Sequence, residues 1–285
     1  MIVRTAVAQS YRNIAQQICD VNGWNCRVVP RSVVWVGETD MYVGSQYDVV
    51  YEYGLLTTYT PKVLYITVEG DFIYPGHWAN LRELCRKAHC VVATKWGKTV
   101  FEKYGVAVDG VVHHALPPGW DSVEVKPVYD VVYLNAYYMF KNGILGREVA
   151  ECERKGWRWW GDVCRRFRCI GFVSNCDGGV PNAFGYTANS VSDVYRLLAL
   201  GKVYTSLTTH EGFGLNNIMA LALGLKQVIW DIPVLRETVG DIPGVYVVPA
   251  ERVASCYVDY SYGLAPGVME FRYGDIEEYL DTVAK

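Results

Sequence analysis

Over the first 117 residues, short β-branched apolar runs alternate with stretches whose apolar positions recur every three or four residues. The runs Ile2–Ala8, Arg27–Val29, Val33–Val36, Asp48–Tyr51, Lys62–Val68, Cys90–Thr94 and Gly110–His113 predict strands. Between them, Tyr11–Asp20 sets Ile14 and Ile18 on one helical face, and Ala79–Lys87 does the same with Leu81, Leu84 and Cys85. Strands alternating with helices predict βαβ units and a parallel sheet. The pattern stops at Pro117-Pro118-Gly119, which no regular element tolerates, and restarts with a strand at Asp130–Asn135 followed by helix, strand and helix. The expected architecture is α/β with two Rossmann-like βαβ domains, 1–117 and 118–285, each of ordinary domain size.

Composition narrows the function classes. The net charge of −3 provides no global attraction to nucleic acid or anionic lipid, and no nucleic-acid partner is expected. The basic, aromatic stretch Arg154–Arg168 is read as a solvated helix end running into an aromatic core strand. No run reaches the ~18–20 apolar residues that span a bilayer, so no integral membrane segment is expected. Met1–Ser10 lacks the apolar length and cleavage pattern of a signal peptide, and the expected location is cytoplasmic. Nine cysteines, none spaced as CxxC, argue against a zinc ribbon. Buried free thiols are expected, with one or two structural disulfides as the alternative. The 22 tyrosines and 9 tryptophans suit sugar-facing surfaces and cores alike.

The most informative stretch is His210–Gly224, HEGFGLNNIMALALG. Val203–Leu207 reads as a strand, and an apolar helix begins near Asn216. Between them, Gly212 and Gly214 permit close backbone approach. The helix N-terminus presents unpaired N–H groups and partial positive charge, which suit a phosphate or a sugar hydroxyl. Glu211 places a carboxylate just ahead of those amides. A tight turn capping a core helix explains the same residues, and from the octapeptide alone both readings stand.

The residues that follow favour the first reading. The run from His210 to Asp241, including Asp231-Ile232-Pro233-Val234-Leu235-Arg236-Glu237, resembles the C-terminal signature of GT-B glycosyltransferases, specifically the retaining family 4 group. Asn189–Gly201 resembles the helix before that signature, Phe184-Gly185-Tyr186 the strand before the helix, and Phe140-Lys141-Asn142-Gly143 the basic turn after the first strand of the C-domain. The resemblance covers most of residues 85–250. It implies two Rossmann-like domains with parallel sheets facing a cleft, a nucleotide-sugar donor on the C-domain and an acceptor on the N-domain. It further implies retention of anomeric configuration without a metal or other cofactor; the chain offers no convincing DxD motif to the contrary.

Residue by residue, the resemblance places Glu211 on donor-sugar hydroxyls and Lys141 on the leaving diphosphate. Gly212, Phe213, Gly214 and Leu215 form the cradle for sugar and phosphate, and Tyr186 lies in the matching strand. Glu69 occupies the N-domain position facing the donor sugar or an acceptor hydroxyl, although a turn carboxylate before Gly70 explains it equally. His210 either orients Glu211 or lies on the surface. His113 and His114 match a linker and are read as structural. Three departures stand out: Asn135 replaces an arginine, Met219 replaces the glutamate that accepts ribose hydroxyls, and Gln9-Ser10-Tyr11 replaces a glycine-rich loop. Asn216, three residues before Met219, shares its helix face and is a substitute ribose ligand or a helix cap, with Asn217 as a second option. The expectation is a glycosyltransferase acting on a glycan, lipid or protein acceptor. The alternative is a degenerate relative that binds a glycan or nucleotide sugar without turnover.

Overall fold

The computed structural model describes residues 1–6, 9–31, 37–69, 75–134, 163–172, 183–186, 190–208, 211–252, 271–273 and 280. They fall into two compact units: Met1–Pro117 with Glu211–Phe213, and Pro118–His210 with Gly214–Lys285.

The first unit holds six parallel strands: β1 (Ile2–Thr5), β2 (Arg27–Pro30), β3 (Met41–Ser45), β4 (Val63–Thr67), β5 (His89–Val92) and β6 (Gly110–Val111). Their order is β2-β1-β3-β4-β5-β6, so the chain leaves β1 for one edge and returns to build the other. Helices α1 (Gln9–Val21), α2 (Gln46–Tyr51), α3 (Tyr53–Thr58), α4 (Pro75–Lys87) and α5 (Lys95–Lys103) make the connections. β3 and β4 are almost wholly buried along their length, as strands covered on both faces must be, and β4 reads as a continuous apolar run for that reason. Tyr42, Leu64, Ile66, Leu81, Leu84 and Phe101 form the core on one face.

Asp48–Tyr51, expected as a strand, is the body of α2. The strand is the preceding Met41–Ser45. Ser45 and Asp48 form a reciprocal capping box, each side chain bonding the other's backbone N–H, and this cap overrides the β-branched pair Val49-Val50. The expected strand Val33–Val36 lies outside the described residues.

A buried ion pair ties β1 to the start of α3. Arg4 donates to Glu52 from Nε and Nη2 at 2.8 Å, and the Tyr42 hydroxyl donates to the other carboxylate oxygen at 2.9 Å. A second cluster lies at the C-terminal end of β4. The Tyr65 hydroxyl donates its single proton to the Val112 carbonyl at 2.6 Å. His114 Nδ1, 2.8 Å from that hydroxyl oxygen, is therefore placed to donate to it, and Nε2 lies 3.3 Å from Thr67 Oγ1, a hydroxyl able to accept or donate. The imidazole is neutral because it is buried. Burial, reinforced by the neighbouring His113, pushes its pKa down to about 3.

The second unit is also a six-stranded parallel sheet, with two strands rather than one on the far side of its first strand. Strands β7 (Tyr129–Tyr133), β8 (Cys169–Phe172), β9 (Ala183–Tyr186), β10 (Gly201–Ser206), β11 (Lys226–Trp230) and β12 (Val245–Val248) run parallel in the order β12-β11-β10-β7-β8-β9. Helices α6 (Val191–Leu198), α7 (Leu215–Ala222) and α8 (Pro233–Thr238) are described, and residues 163–166 are helical. Ser190 caps α6 by accepting from the Asp193 N–H. Val131, Val203, Val228, Ile229, Trp230 and Leu235 centre the core. A short antiparallel pair, β13 (Ala250–Arg252) and β14 (Phe271–Tyr273), follows.

The expectation that the cysteines are free holds only in part among the described residues. Cys19 and Cys26 form a disulfide, while Cys85, Cys90, Cys164 and Cys169 are buried thiols. Most of Arg154–Arg168 lies outside the described residues.

Removing one partner of the buried ion pair strands the other charge. Glu52→Gln is expected to lower the unfolding free energy by about 3 kcal/mol, measured as a lower denaturant midpoint at unchanged slope. The His114 cluster makes stability depend on pH. Its folded pKa lies below the ordinary 6.5, so the unfolded chain takes up the proton first. The stabilisation is complete above the unfolded value and is lost as pH falls toward the folded one. Between pH 6.5 and about pH 5, a loss of about 1.5 kcal/mol is expected from this group. Denaturant titrations at the two pH values should show it, and His114→Asn should abolish it.

Candidate functional site

In doubly wound sheets, ligands bind beyond the C-terminal ends of the strands where the connection order reverses. In the second unit that point lies between β7 and β10, which are direct neighbours paired Val203 to Val131 and Thr205 to Tyr133. The glycine loop leaves β10 at this point. Asn135 and Lys141 follow β7 in the chain, but they and His210 lie outside the described residues.

α7 starts abruptly because Gly214 takes a left-handed conformation, φ 83°, as its N-cap. Two independent constraints require glycine there. An L side chain rarely adopts that φ, and a Cβ would lie 2.6 Å from Leu235 Cδ2. Leu235 is fully buried on α8, whose first residue is Pro233, a residue preorganised for the first helical position. Arg236 folds back onto Asp231 with two bonds of 3.0 and 2.6 Å. The two halves of the signature, EGFG and DIPVLRE, are thereby locked together through Gly214 and Leu235. Glu237 lies in the last turn of α8.

The loop residues Glu211, Gly212 and Phe213 belong to the first unit, and there they meet the C-terminal end of β4. A Cβ on Gly212 would lie 2.3 Å from Thr67 Cγ2 and 3.1 Å from Glu69 Cγ. The glycine is therefore required by protein contact as well as by any ligand. Phe213 is buried with its ring 4.6 Å from that of His114. Glu211 is half-buried, and its carboxylate accepts from the Gly212 N–H at 3.3 Å.

Glu69 is positioned from two other elements. The Tyr11 hydroxyl in the first turn of α1 donates to its carboxylate at 3.0 Å, and its backbone N–H donates to Gln46 Oε1 at 2.9 Å. Burial and the adjacent Glu69 charge hold the Tyr11 phenol well above its ordinary pKa, so it remains a donor. The structure thus gathers Glu69, Gly212 and Phe213 at one strand end. Gln46 and Tyr65, which support this cluster, were not singled out from the sequence. The available signal was a polar residue at the end or flank of an apolar strand.

On α7 the structure separates the two asparagines. Asn216 is half-buried in the first turn. Asn217 is buried, its amide donating to Gln227 Oε1 at 3.0 Å while Gln227 returns a bond to the Asn217 carbonyl at 2.8 Å. Asn217 is therefore neither a ribose ligand nor a helix cap. It satisfies the fully buried Gln227 of β11. Met219 is buried at 2% exposure. Leu215 opens α7 and is half-buried. Tyr186 ends the outer strand β9, with β7 and β8 between it and β10. Among the described residues no cluster of three or more metal-ligating side chains occurs, and no helix is long and apolar enough to cross a membrane.

No family model matches the chain. It is 25% identical over 174 residues to a protein of Sulfolobus islandicus filamentous virus (isolate Iceland/Hveragerdi) that bears the provisional name glycosyltransferase 41. The match takes in 61% of this chain and spans about half (48%) of that protein's length. Among solved structures, the chain resembles sucrose-phosphate synthase from Thermosynechococcus elongatus (TM-score 0.58, 9% identity, covering 87% of this chain and 86% of the other). It also resembles WaaG, a glycosyltransferase involved in lipopolysaccharide biosynthesis (TM-score 0.54, 13% identity, 87% and 86%). The chain has the two-domain α/β fold of the GT-B glycosyltransferases.

Proposed function

We propose that the chain is a glycosyltransferase that moves a sugar from a nucleoside-diphosphate sugar to a glycan, lipid or protein acceptor, with retention and without a metal. The observation that carries this reading is the glycine loop at the β7/β10 reversal, with both halves of its signature joined through Gly214 and Leu235. In this reading the C-terminal domain, 118–285, holds the donor, the N-terminal domain, 1–117, holds the acceptor, and the protein works in the cytoplasm. Glu211 grips donor-sugar hydroxyls. The backbone of Gly212–Leu215 and the uncapped amides of α7 face sugar and phosphate, where helix-end dipoles favour negative charge. Lys141 neutralises charge developing on the leaving diphosphate. Asn216 bonds the ribose, while Asn135, His210 and Tyr186 complete the donor surface. Glu69, held as an acceptor by Tyr11, faces a sugar or acceptor hydroxyl.

One observation favours the second reading, binding of a glycan or nucleotide sugar without turnover. At the position that supplies a ribose-binding carboxylate in the resembled family, Met219 is apolar and buried.

Donor binding is read most directly by thermal shift against UDP-, GDP-, ADP- and dTDP-sugars. At a hundredfold excess over Kd, the cognate donor stabilises the fold by about 2.7 kcal/mol, which corresponds to a rise of about 5 °C or more. A flat response across the panel removes the first reading and leaves only the glycan-binding form of the second. Turnover separates them. Lys141→Ala is expected to reduce release of free nucleoside diphosphate by about a hundredfold while changing donor Kd severalfold at most, the signature of stabilising a developing charge. Binding with no diphosphate release by the unsubstituted protein leaves the second reading.

A further inference from the structure

Three cysteine pairs occupy equivalent places in the two units. Cys19 lies in the last turn of α1, and Cys26 immediately precedes β2. Cys85 lies in the last turn of α4, and Cys90 is the second residue of β5. Cys164 lies in the helical stretch 163–166, and Cys169 opens β8. Each pair therefore spans the connection from the end of a helix to the start of the strand that follows it. The first pair is a disulfide. In the second, both side chains are buried and the sulfurs stand 2.8 Å apart, well inside the distance at which two thiols ordinarily rest. In the third, both are fully buried and their side chains are in hydrogen-bond contact.

We propose that Cys85–Cys90 and Cys164–Cys169 are disulfide-forming pairs, so that three helix-to-strand connections are covalently stapled when the chain meets a thiol oxidant. The Cys85 and Cys90 sulfurs are less than ~1 Å from the bond length of about 2.05 Å. A short connection also keeps the partners together in the unfolded chain. The oxidant is a low-molecular-weight disulfide. One cysteine thiolate attacks it, breaking its S–S bond and releasing one small thiolate. The second cysteine then attacks the resulting mixed disulfide and releases the other. Two protein thiols are oxidised, one small disulfide is reduced to two thiols, and the two protons lost from the cysteines end on those thiols. The contact with Cys85 and burial push the Cys90 thiol well above its ordinary range, and contact with Cys164 and burial do the same to Cys169. Buried native thiols are thus poor nucleophiles, and pairing proceeds as the chain folds.

The placement also says what the staples leave alone. Helices in a parallel sheet return to the N-terminal ends of the strands, and all three pairs lie there. The glycine loop, Glu69 and the His114 cluster lie at the C-terminal ends. The staples act on stability and leave the glycine loop untouched.

The test is refolding of the reduced, unfolded full chain in a buffer of reduced and oxidised glutathione. Denaturation, alkylation and non-reducing peptide mapping by mass spectrometry follow. Peptides linked through Cys85–Cys90 and Cys164–Cys169 are expected beside the Cys19–Cys26 link. The melting temperature of the oxidised protein should exceed that of the reduced protein by about 5 °C per bond. In Cys90→Ala the difference between oxidised and reduced forms should shrink by one bond's share, a comparison made within a single variant and so independent of the substitution's own cost. Recovery of either pair as alkylated thiols, with Cys19–Cys26 linked in the same sample, overturns the proposal.

Discussion

Leu235 fills the space that a side chain on Gly214 would need, and much of the second unit's functional edge depends on that contact. Because Gly214 is left-handed and bare, α7 begins directly at the sheet edge with no side-chain cap. Because Leu235 is buried, α8 is held against the α7 start, and its own start is set by Pro233. The Arg236–Asp231 fork then closes the turn between β11 and α8. Two sequence segments some twenty residues apart thus share one packing constraint. This explains physically why they form a single signature.

The first unit solves a different problem at its own strand ends. Its C-terminal edge gathers Ser45, Thr67, Glu69 and His114, polar groups that an apolar sheet must satisfy or expose. Most are satisfied locally. Tyr65 and Thr67 hold a neutral imidazole, Asp48 caps on Ser45, and Gln46 and Tyr11 fix Glu69 from two helices. The Glu69 carboxylate is held by Tyr11 and its backbone by Gln46, so two helices fix the end of β4.

The departures on α7 divide in the same way. Asn217 and Gln227 satisfy one another inside the core, so an asparagine that reads as a ligand is an internal amide pair. Met219 has joined the apolar interior. Only Asn216, one residue earlier than its buried neighbour, keeps partial exposure. A helix turns about 100° per residue, and that rotation decides which asparagine is buried and which keeps exposure.

Periodicity by itself determined the α/β class, the parallel sheets and the restart after Pro117, because burial on both faces of a strand forces continuous apolar runs that any sequence reading detects. The motif around Glu211 was legible for a similar local reason: glycine and proline advertise backbone conformations that other residues avoid. The cap formed by Ser45 and Asp48, which turned Val49-Val50 into helix against their strand propensity, is also local and lies in the spacing of the chain. Three matters were decided only by tertiary structure. Cys19 found Cys26 because helix and strand ends meet in space. His114 was neutralised by burial against Tyr65 and Thr67, and Asn217 turned inward to meet Gln227. Each depends on a partner brought close by the fold, and the spacing of residues along a chain does not record such proximity.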